Sequence, residues 1–368
     1  MKVVCSKENL EKSLKTVRSA VPSRTTLDIL KTVLLETEEN TLKITANDTT
    51  LGIETQFDAL VMESGSIAVD AGQMIGIVQK LPDTDIVIET GYNYEISIRA
   101  EETKYQIPGT DPNQFISLPV ISSDGEVVVS QYTVKEMIEK VIFSIADNNL
   151  NAAMNGVYLE VINDHIRMTT LDGHIISIRV NELRSDYGRK AAIIPGKTLN
   201  DLSKILVGDR EKEMSILFSV NHIVFRFDET TVISRIIDGD YFKIDSMLRG
   251  EHETVVRINK NEFYKRIDRS TPMIYESDKK PIILDIKDGE MNLRLKSQLG
   301  MWRDSIEIEK TGSDLKIAFN PRFLMDALRV IDDEEITIKF VRYNFPCTIE
   351  DENNTYKYVI LPVNFTEE

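Results

Sequence analysis

Asp172 and His174 are a pair of side chains whose types and spacing suit acid–base chemistry. They stand two residues apart in the segment LDGH, and a carboxylate that orients an imidazole is the usual arrangement of a hydrolase general base. Only four histidines occur in the chain, and no G-x-S-x-G nucleophile motif accompanies the pair. The alternative is a turn between two strands. We favour the turn and keep the hydrolase as the second interpretation.

No metal or cofactor site is expected from the remaining polar motifs. Asp238, Gly239 and Asp240 resemble the start of a calcium loop, but the glutamate that closes an EF-hand loop is missing, so the segment is read as a turn. Cys5 and Cys347 are too few for a disulfide framework or a zinc site. Two isolated cysteines favour a reducing cytoplasm.

Basic side chains recur at helical spacing, and their chemistry suits phosphate binding. Lys197 and Lys204 are seven residues apart, and Arg322 and Arg329 repeat the pair 125 residues later. The six predicted helices together carry a charge of +7, whereas the whole chain carries −16, which leaves −23 outside the helices. A basic surface on an acidic protein attracts a polyanion to one place. The alternative is that these charges merely keep an exposed helix face soluble.

A threefold repeat predicts the elements that position these residues. Asp70, Pro195 and Asn320 are spaced by 125 residues, and each ends a short apolar segment that precedes an amphipathic helix. The helices share an apolar stripe at i, i+3, i+4 and i+7, formed by Met74/Leu199/Leu324, Ile77/Leu202/Ala327, Val78/Ser203/Leu328 and Leu81/Leu206/Ile331. The period is long enough for a whole domain, so we expect three domains, 1–122, 123–250 and 251–368.

Each repeat is predicted to contain two helices and about eight strands, which gives an α+β fold with mainly antiparallel sheets. Ser6 is the expected N-cap of a helix that runs to Val21. Thr133 is the expected N-cap of the next helix, with Glu136 as its capping-box partner, and Asn259 is the expected N-cap of a third. No apolar run reaches the ~18 residues of a membrane helix. The amino terminus lacks the features of a signal peptide, which again favours the cytoplasm.

Several local motifs resemble those of the bacterial DNA sliding clamps, the beta subunits of the replicative DNA polymerase holoenzyme. The resemblance spans the full length and rests on the repeat and on SRTTLDIL (23–30), NGVYLE (155–160), LDGH (171–174), DGDYF (238–242) and YVILPVNF (358–365). It implies three tandem clamp domains and two chains that close head to tail into a six-domain ring around duplex DNA. It implies a processivity factor without catalytic activity.

The resemblance also implies partners and sites. The partners are duplex DNA in any sequence, the polymerase catalytic subunit, the clamp loader, and repair proteins such as repair polymerases, ligase and mismatch repair; a second copy of the chain completes the ring, and no membrane is involved. DNA contact falls to Arg24 and Lys197, and the helix-face pattern adds Lys80, Lys204, Arg322 and Arg329. Gly72 and Gln73 stand where many relatives have basic residues.

A hydrophobic cleft for short peptides is implied as well. Its residues would be Met154, Leu171, Gly173, His174, Ile175, Ile176, Phe242, Met247, Asn320, Phe323, Asn344, Pro346, Val359, Ile360, Leu361, Pro362 and Val363. Ile175 and Ser246 replace arginines of many relatives, which predicts a more apolar cleft. The dimer interface would contain Tyr105, Ile107, Pro272, Met273 and Ile274. A protein-binding scaffold that does not touch DNA is the remaining alternative.

Overall fold

The structure, a computed structural model, describes residues 1–122, 125–146, 149–248, 250–274 and 280–365, except for the side chains of Ser246 and Met247. The helices in these ranges are α1 (Lys7–Val17), α2 (Ala71–Lys80), α3 (Gln131–Val141), α4 (Gly196–Ile205), α5 (Ile244–Met247), α6 (Lys260–Ser270) and α7 (Pro321–Val330).

The strands of the amino-terminal part are β1 (Lys2–Ser6), β2 (Thr32–Glu38), β3 (Thr41–Asn47), β4 (Leu51–Asp58), β5 (Leu60–Glu63), β6 (Ser66–Asp70), β7 (Asp85–Thr90), β8 (Glu95–Ala100) and β9 (Thr103–Pro108). The middle part contains β10 (Glu126–Ser130), β11 (Gly156–Ile162), β12 (His165–Leu171), β13 (Ile175–Glu182), β14 (Arg189–Pro195), β15 (Glu213–Phe218), β16 (His222–Phe227) and β17 (Thr230–Arg235). The last part contains β18 (Thr254–Asn259), β19 (Ile282–Lys287), β20 (Glu290–Ser297), β21 (Gly300–Glu307), β22 (Glu309–Gly312), β23 (Leu315–Phe319), β24 (Glu335–Phe340), β25 (Cys347–Glu350) and β26 (Tyr356–Ile360).

Helices α1, α2, α3, α6 and α7 begin where a strand ends on a capping side chain. Ser6 accepts a hydrogen bond from the Asn9 amide at 3.2 Å, and Asn259 accepts one from the Glu262 amide at 3.0 Å, as predicted. Pro321 occupies the first turn of α7, where its missing N–H has no helical partner. The first helix ends earlier than expected, at Val17, and continues as one 3₁₀ turn to Ala20.

The predicted cap of α3 is wrong. The helix begins at Gln131, and the Thr133 amide donates to the Ser130 hydroxyl at 3.1 Å, so the capping side chain is Ser130. Strand β10 runs directly into the helix, so the cap falls on its last residue. Glu136 makes no capping box and instead forms an ion pair with Arg179 at 2.9 Å.

All strand pairs are antiparallel, and they form four sheets within the described residues. Sheet I has the order β5-β1-β7-β8-β9 and sheet II the order β10-β15-β16-β17-β4-β3-β2-β6. Sheet III has the order β14-β11-β12-β13-β26-β25-β24-β18-β22, and sheet IV the order β21-β20-β19-β23. Sheets II and III each join strands of two consecutive repeats. Strands β9 and β21 lie at free edges of sheets I and IV.

This sharing of sheets divides the chain differently from the sequence repeat. One compact unit contains Met1–Val134 and Asp201–Ile236, and the other contains Lys135–Asn200 and Ile237–Glu368. The first and last repeats therefore each contribute one half of their strands to a shared sheet, and the middle repeat contributes both halves.

The predicted helix stripe is buried. Met74 and Leu199 are 0% exposed and Leu324 is 1% exposed, at matching positions of α2, α4 and α7. Full burial of a side chain of this size contributes about 1.5–3 kcal/mol. Cys5 and Cys347 are both buried free thiols. No helix among the described residues is long and apolar enough to cross a membrane, and the same residues contain no cluster of potential metal ligands.

Candidate nucleic-acid and peptide interface

Exposed basic side chains lie on α4 and α7 opposite the buried stripe. Lys197 and Lys204 on α4, and Arg322 and Arg329 on α7, are all exposed. They occupy the same two positions of their helices, because each helix follows a strand end in the same way. The repeat therefore presents the same pair of cations twice.

Lys204 and Arg329 each have an acidic partner on the same helix. Lys204 forms an ion pair with Asp201 at 2.9 Å, and Arg329 forms the matching pair with Asp326 at 3.2 Å. Burial raises the pKa of the Asp326 carboxyl, and the nearby Arg329 and Arg322 offset part of that effect. Both acids stand three residues before their cations, a spacing from which the ion pairs could have been predicted.

The two remaining basic candidates lie in the first repeat, in the compact unit that also contains Lys204. Arg24 is exposed in the segment that follows the first 3₁₀ turn, and Lys80 is the exposed last residue of α2. Gly72 and Gln73 begin α2 without positive charge, so Lys80 is the cation that this helix presents.

The Asp172–His174 segment is a strand-to-strand turn. Asp172 accepts hydrogen bonds from the amides of His174 and Ile175, both at 2.7 Å, and Gly173 has φ +91°, which a glycine adopts without strain. The Oδ1 atom of Asp172 therefore holds the backbone of the turn. The turn interpretation is confirmed, and the hydrolase interpretation is not favoured.

Aromatic and apolar side chains gather around this turn. The His174 ring stacks on Phe323 with centroids 5.3 Å apart, and the Met154 methyl group lies next to Gly173. The His174 carbonyl accepts a hydrogen bond from the Leu361 amide at 2.9 Å. Five predicted cleft residues, on four different segments, are therefore neighbours.

A second group of predicted cleft residues forms an apolar cluster on one face of sheet III. Ile176, Ile178, Ile244 and Val359 are its buried members, with Leu171, Val180, Tyr241, Phe242 and Leu248 packed against them. Ile178, Val180, Tyr241, Ile244 and Leu248 were not among the predicted cleft residues. Alternation along HIISIRV indicated Ile178, whereas residues 241–248 belong to an irregular segment without a periodic signal.

The remaining predicted cleft residues play other parts. Ile175 and Ile360 lie opposite each other across β13 and β26 and are 2% and 0% exposed. Ile360 belongs to the core of the last repeat, so it offers a ligand only its backbone. Asn320 caps α7. The others lie on the loop before β25 (Asn344, Pro346) and on the carboxyl-terminal segment (Pro362, Val363), and the Met247 side chain lies outside the described residues.

The predicted interface residues lie at or beside the free edges. Tyr105 and Ile107 belong to β9, and the Ile107 side chain is 5% exposed, so its backbone rather than its side chain is accessible. Pro272, Met273 and Ile274 follow α6, and the Met273 methyl group lies beside Gly300 at the start of β21.

Comparison with known proteins identifies the class. Three family profiles match in order: DNA polymerase III beta subunit, N-terminal domain (residues 1–119), central domain (128–243) and C-terminal domain (246–364). The chain belongs to this family, the bacterial DNA sliding clamps, whose members are non-catalytic processivity subunits.

Individual relatives agree over nearly the full length. A crystal structure of a putative DNA polymerase III beta subunit from Eubacterium rectale is 46% identical, covers 99% of both chains and has a TM-score of 0.96. The DNA polymerase sliding clamp of Bacillus subtilis is 26% identical over 100% of both chains, also with a TM-score of 0.96. The beta sliding clamp of Staphylococcus epidermidis is 27% identical over 94% of both chains.

Proposed function

We propose that two copies of this chain close head to tail into a ring around duplex DNA, and that partner proteins bind the His174 cleft by short peptides. The function as a DNA sliding clamp follows from the family. The observation that supports the ring most strongly is the pair of free sheet edges, β9 and β21.

Sheets II and III indicate how one repeat joins the next. In sheet II, Gly52 of β4 lies opposite Ile233 of β17, and in sheet III, Ile176 of β13 lies opposite Val359 of β26. Strand β21 has the same place in its repeat as β4 and β13, and β9 has the same place as β17 and β26. The two free edges are therefore the two halves of a third junction of the same kind.

The repeat also predicts the register of that third junction. Equivalent positions are found by following the strand pairings outward from the residues that precede the helices. Met301 of β21 then has the position that Gly52 has in β4 and Ile176 has in β13. Gln106 of β9 has the position that Ile233 has in β17 and Val359 has in β26. Met301 of one chain should then lie opposite Gln106 of its partner, which in turn sets Tyr105 opposite Trp302.

Side-chain direction supports this register independently. Tyr105 and Trp302 are both half-buried on the core-facing sides of their strands, whereas their neighbours Lys104 and Arg303 are exposed. A register one residue off would place core-facing residues opposite solvent-facing ones. Paired aromatic side chains across antiparallel strands contribute about 0.2–1 kcal/mol.

DNA contact in this proposal comes from the exposed helix cations together with Arg24 and Lys80. Phosphate contacts by Lys and Arg carry no sequence information, which suits a protein that moves along the duplex. Lys204 and Arg329 each share their charge with an aspartate, which should weaken their contact with phosphate.

Peptide binding is assigned to the groups around Phe323 and Ile176. Apolar side chains with a few backbone polar groups suit a short segment with one or two large apolar anchors. We propose the polymerase catalytic subunit, the clamp loader and repair proteins as the bound partners, in the cytoplasm, with domain boundaries near 122 and 250.

Light scattering after size exclusion tests the ring. We expect a mass of about 84 kDa, twice the 41.9 kDa of one chain. Trp302 is the only tryptophan, so dilution into monomer should change the emission of wild type, and Tyr105→Ala should raise the dissociation constant. Tyr92→Ala, on an exposed tyrosine away from β9, is the matched control. A single-chain mass at micromolar concentration, or retention on linear as well as circular DNA after loading, would refute the proposal.

A further inference from the structure

We propose that the solvent-facing side of sheet IV, continued by the partner's β9 in the closed ring, is a docking groove for an extended acidic peptide. The groove is distinct from the His174 cleft. Only the contribution of the partner strand rests on the proposed ring.

The matching face of sheet II is covered by the chain itself. Phe115 packs on Leu34 and Ala68, and further along the same segment Leu118 and Ile121 pack on the face of β15, β16 and β17. The covering segment lies so close that a Cβ atom at Gly52 would collide with the Leu118 side chain. An extended segment thus runs over the first junction.

The matching face of sheet III is covered in the same way. Tyr241 stacks on Tyr158 with centroids 4.7 Å apart, and Ile244 packs on Ile176 and Val359. Tyr158 has the place in β11 that Leu34 has in β2. At both junctions, therefore, the segment that leads into the next repeat lies across the sheet along one track.

On the third face the carboxyl-terminal segment enters at the same place, where the Val363 amide donates to the Ala318 carbonyl at 2.8 Å, and Phe365 is its last described residue. Ile283 has the place of Leu34 and Tyr158. Around it lies a cavity of about 550 Å³ whose walls include Met301, Phe365, Arg294 and Arg303. No acidic side chain lines the cavity within the described residues.

The charge of this face indicates the ligand. Arg294 and Arg303 lie directly opposite each other on β20 and β21, an arrangement that is unfavourable without a counter-charge. Neither forms an ion pair with the described part of the chain, and the Arg294 Nε is buried there without a hydrogen-bond acceptor. A buried unpaired donor of this kind calls for an acceptor.

The partner strand enlarges the cationic row. In the register derived above, the partner's Lys104 lies opposite Arg303. The residues that match Arg294 and Arg303 at the second junction are Thr169 and Ile178, so the charge is specific to the third face. A carboxylate-bearing peptide fits this row, since the apolar floor at Ile283 continues the track that peptide segments follow at the other two junctions.

Fluorescence anisotropy with a defined probe tests the groove. The probe is the labelled peptide DYFEIDSM, which keeps the pattern of residues 240–247 but has glutamate at the position of Lys243; KYFKIKSM is the cationic control. We expect binding of the acidic probe only, and a loss of at least tenfold in Arg294→Gln/Arg303→Gln. The matched control is Lys287→Gln, on the same sheet but outside the cavity, with a change below twofold.

The outcomes separate the groove from the ring. Equal binding by the double arginine variant and wild type, or absence of probe binding at millimolar concentration, overturns the groove. Competition by a ten-nucleotide oligothymidylate at lower concentration than the unlabelled peptide overturns the assignment to a peptide. Light scattering in the same buffer measures whether the chain is dimeric. If the mass is that of a single chain and probe binding still depends on both arginines, the ring is refuted and the groove stands. Lys104→Gln should weaken the probe about threefold in dimeric samples.

Discussion

The acidic partners of Lys204 and Arg329 should restrain DNA association. Replacement of both acids in Asp201→Asn/Asp326→Asn keeps the side-chain shapes and removes the 2.9 Å and 3.2 Å ion pairs. Because burial raises the pKa of the Asp326 carboxyl, its replacement by a neutral amide should not lower the melting temperature. The variant removes an acidic partner from two cations per chain and from four per ring, while Arg329 keeps its hydrogen bond with Tyr264.

The size of the effect follows from counterion release. Each phosphate neutralised adds about 0.9 to the slope of log K against log salt, so these four cations add up to about 3.6. Between about 50 and about 200 mM salt, that slope corresponds to a further loss of affinity of about a hundredfold, on top of the loss by wild type. At low salt the variant should therefore bind tighter than wild type.

Anisotropy of a labelled duplex across a salt series measures this slope. Glu211→Gln/Glu352→Gln makes the same change in net charge at two exposed positions outside α4 and α7 and should leave the slope unchanged. Lys197→Gln/Arg322→Gln should reduce it. A slope of the Asp201/Asp326 variant equal to that of wild type would refute the role of these helix faces in DNA contact, and an equal rise in the control would assign the effect to net charge alone.

Three further outcomes are expected. Phe323→Ala should weaken a cleft-binding polymerase peptide at least tenfold and more than His174→Ala, because it removes the larger apolar surface; unchanged affinity by calorimetry would contradict the cleft assignment. Cys5 and Cys347 should resist a thiol reagent at pH 8 until the protein is unfolded, since burial raises both pKa values to about 12 and thiolate is the reactive form; rapid labelling of native protein would argue against it. Leu324→Ala should cost about 2–5 kcal/mol of unfolding free energy in denaturant titrations, and a loss below 1 kcal/mol would contradict its place in the core.

The sequence predicted the features that are set by residues within a few positions of each other, such as helix positions and their buried faces. The 125-residue spacing of Asp70, Pro195 and Asn320 located three helices and their buried faces correctly, because helix periodicity and caps are read within one turn. The cap of α3 was misplaced because Ser130 and Thr133 are both good caps, and only the end of β10 decides between them.

The pairing of strands that are distant along the chain could not be predicted from the sequence. Nothing local indicates that β4 pairs with β17 or β13 with β26, so these strand pairs could not be predicted from the residues themselves. The same holds for the side-chain direction of Ile360, which alternation alone could have placed on either face. Tyr241 and Ile244 were missed because they act from an irregular segment.

The shared sheets bear on how a closed ring could be opened. At the first and second junctions the strands are held together by backbone hydrogen bonds and also by a covalent segment that crosses the sheet. The third junction, between β9 and β21 of different chains, would have the hydrogen bonds alone. We therefore expect the ring to open at either of its two equivalent interfaces between chains. Fusion of one chain to the next by a flexible peptide should leave one such interface, so that a single crosslink could lock the ring.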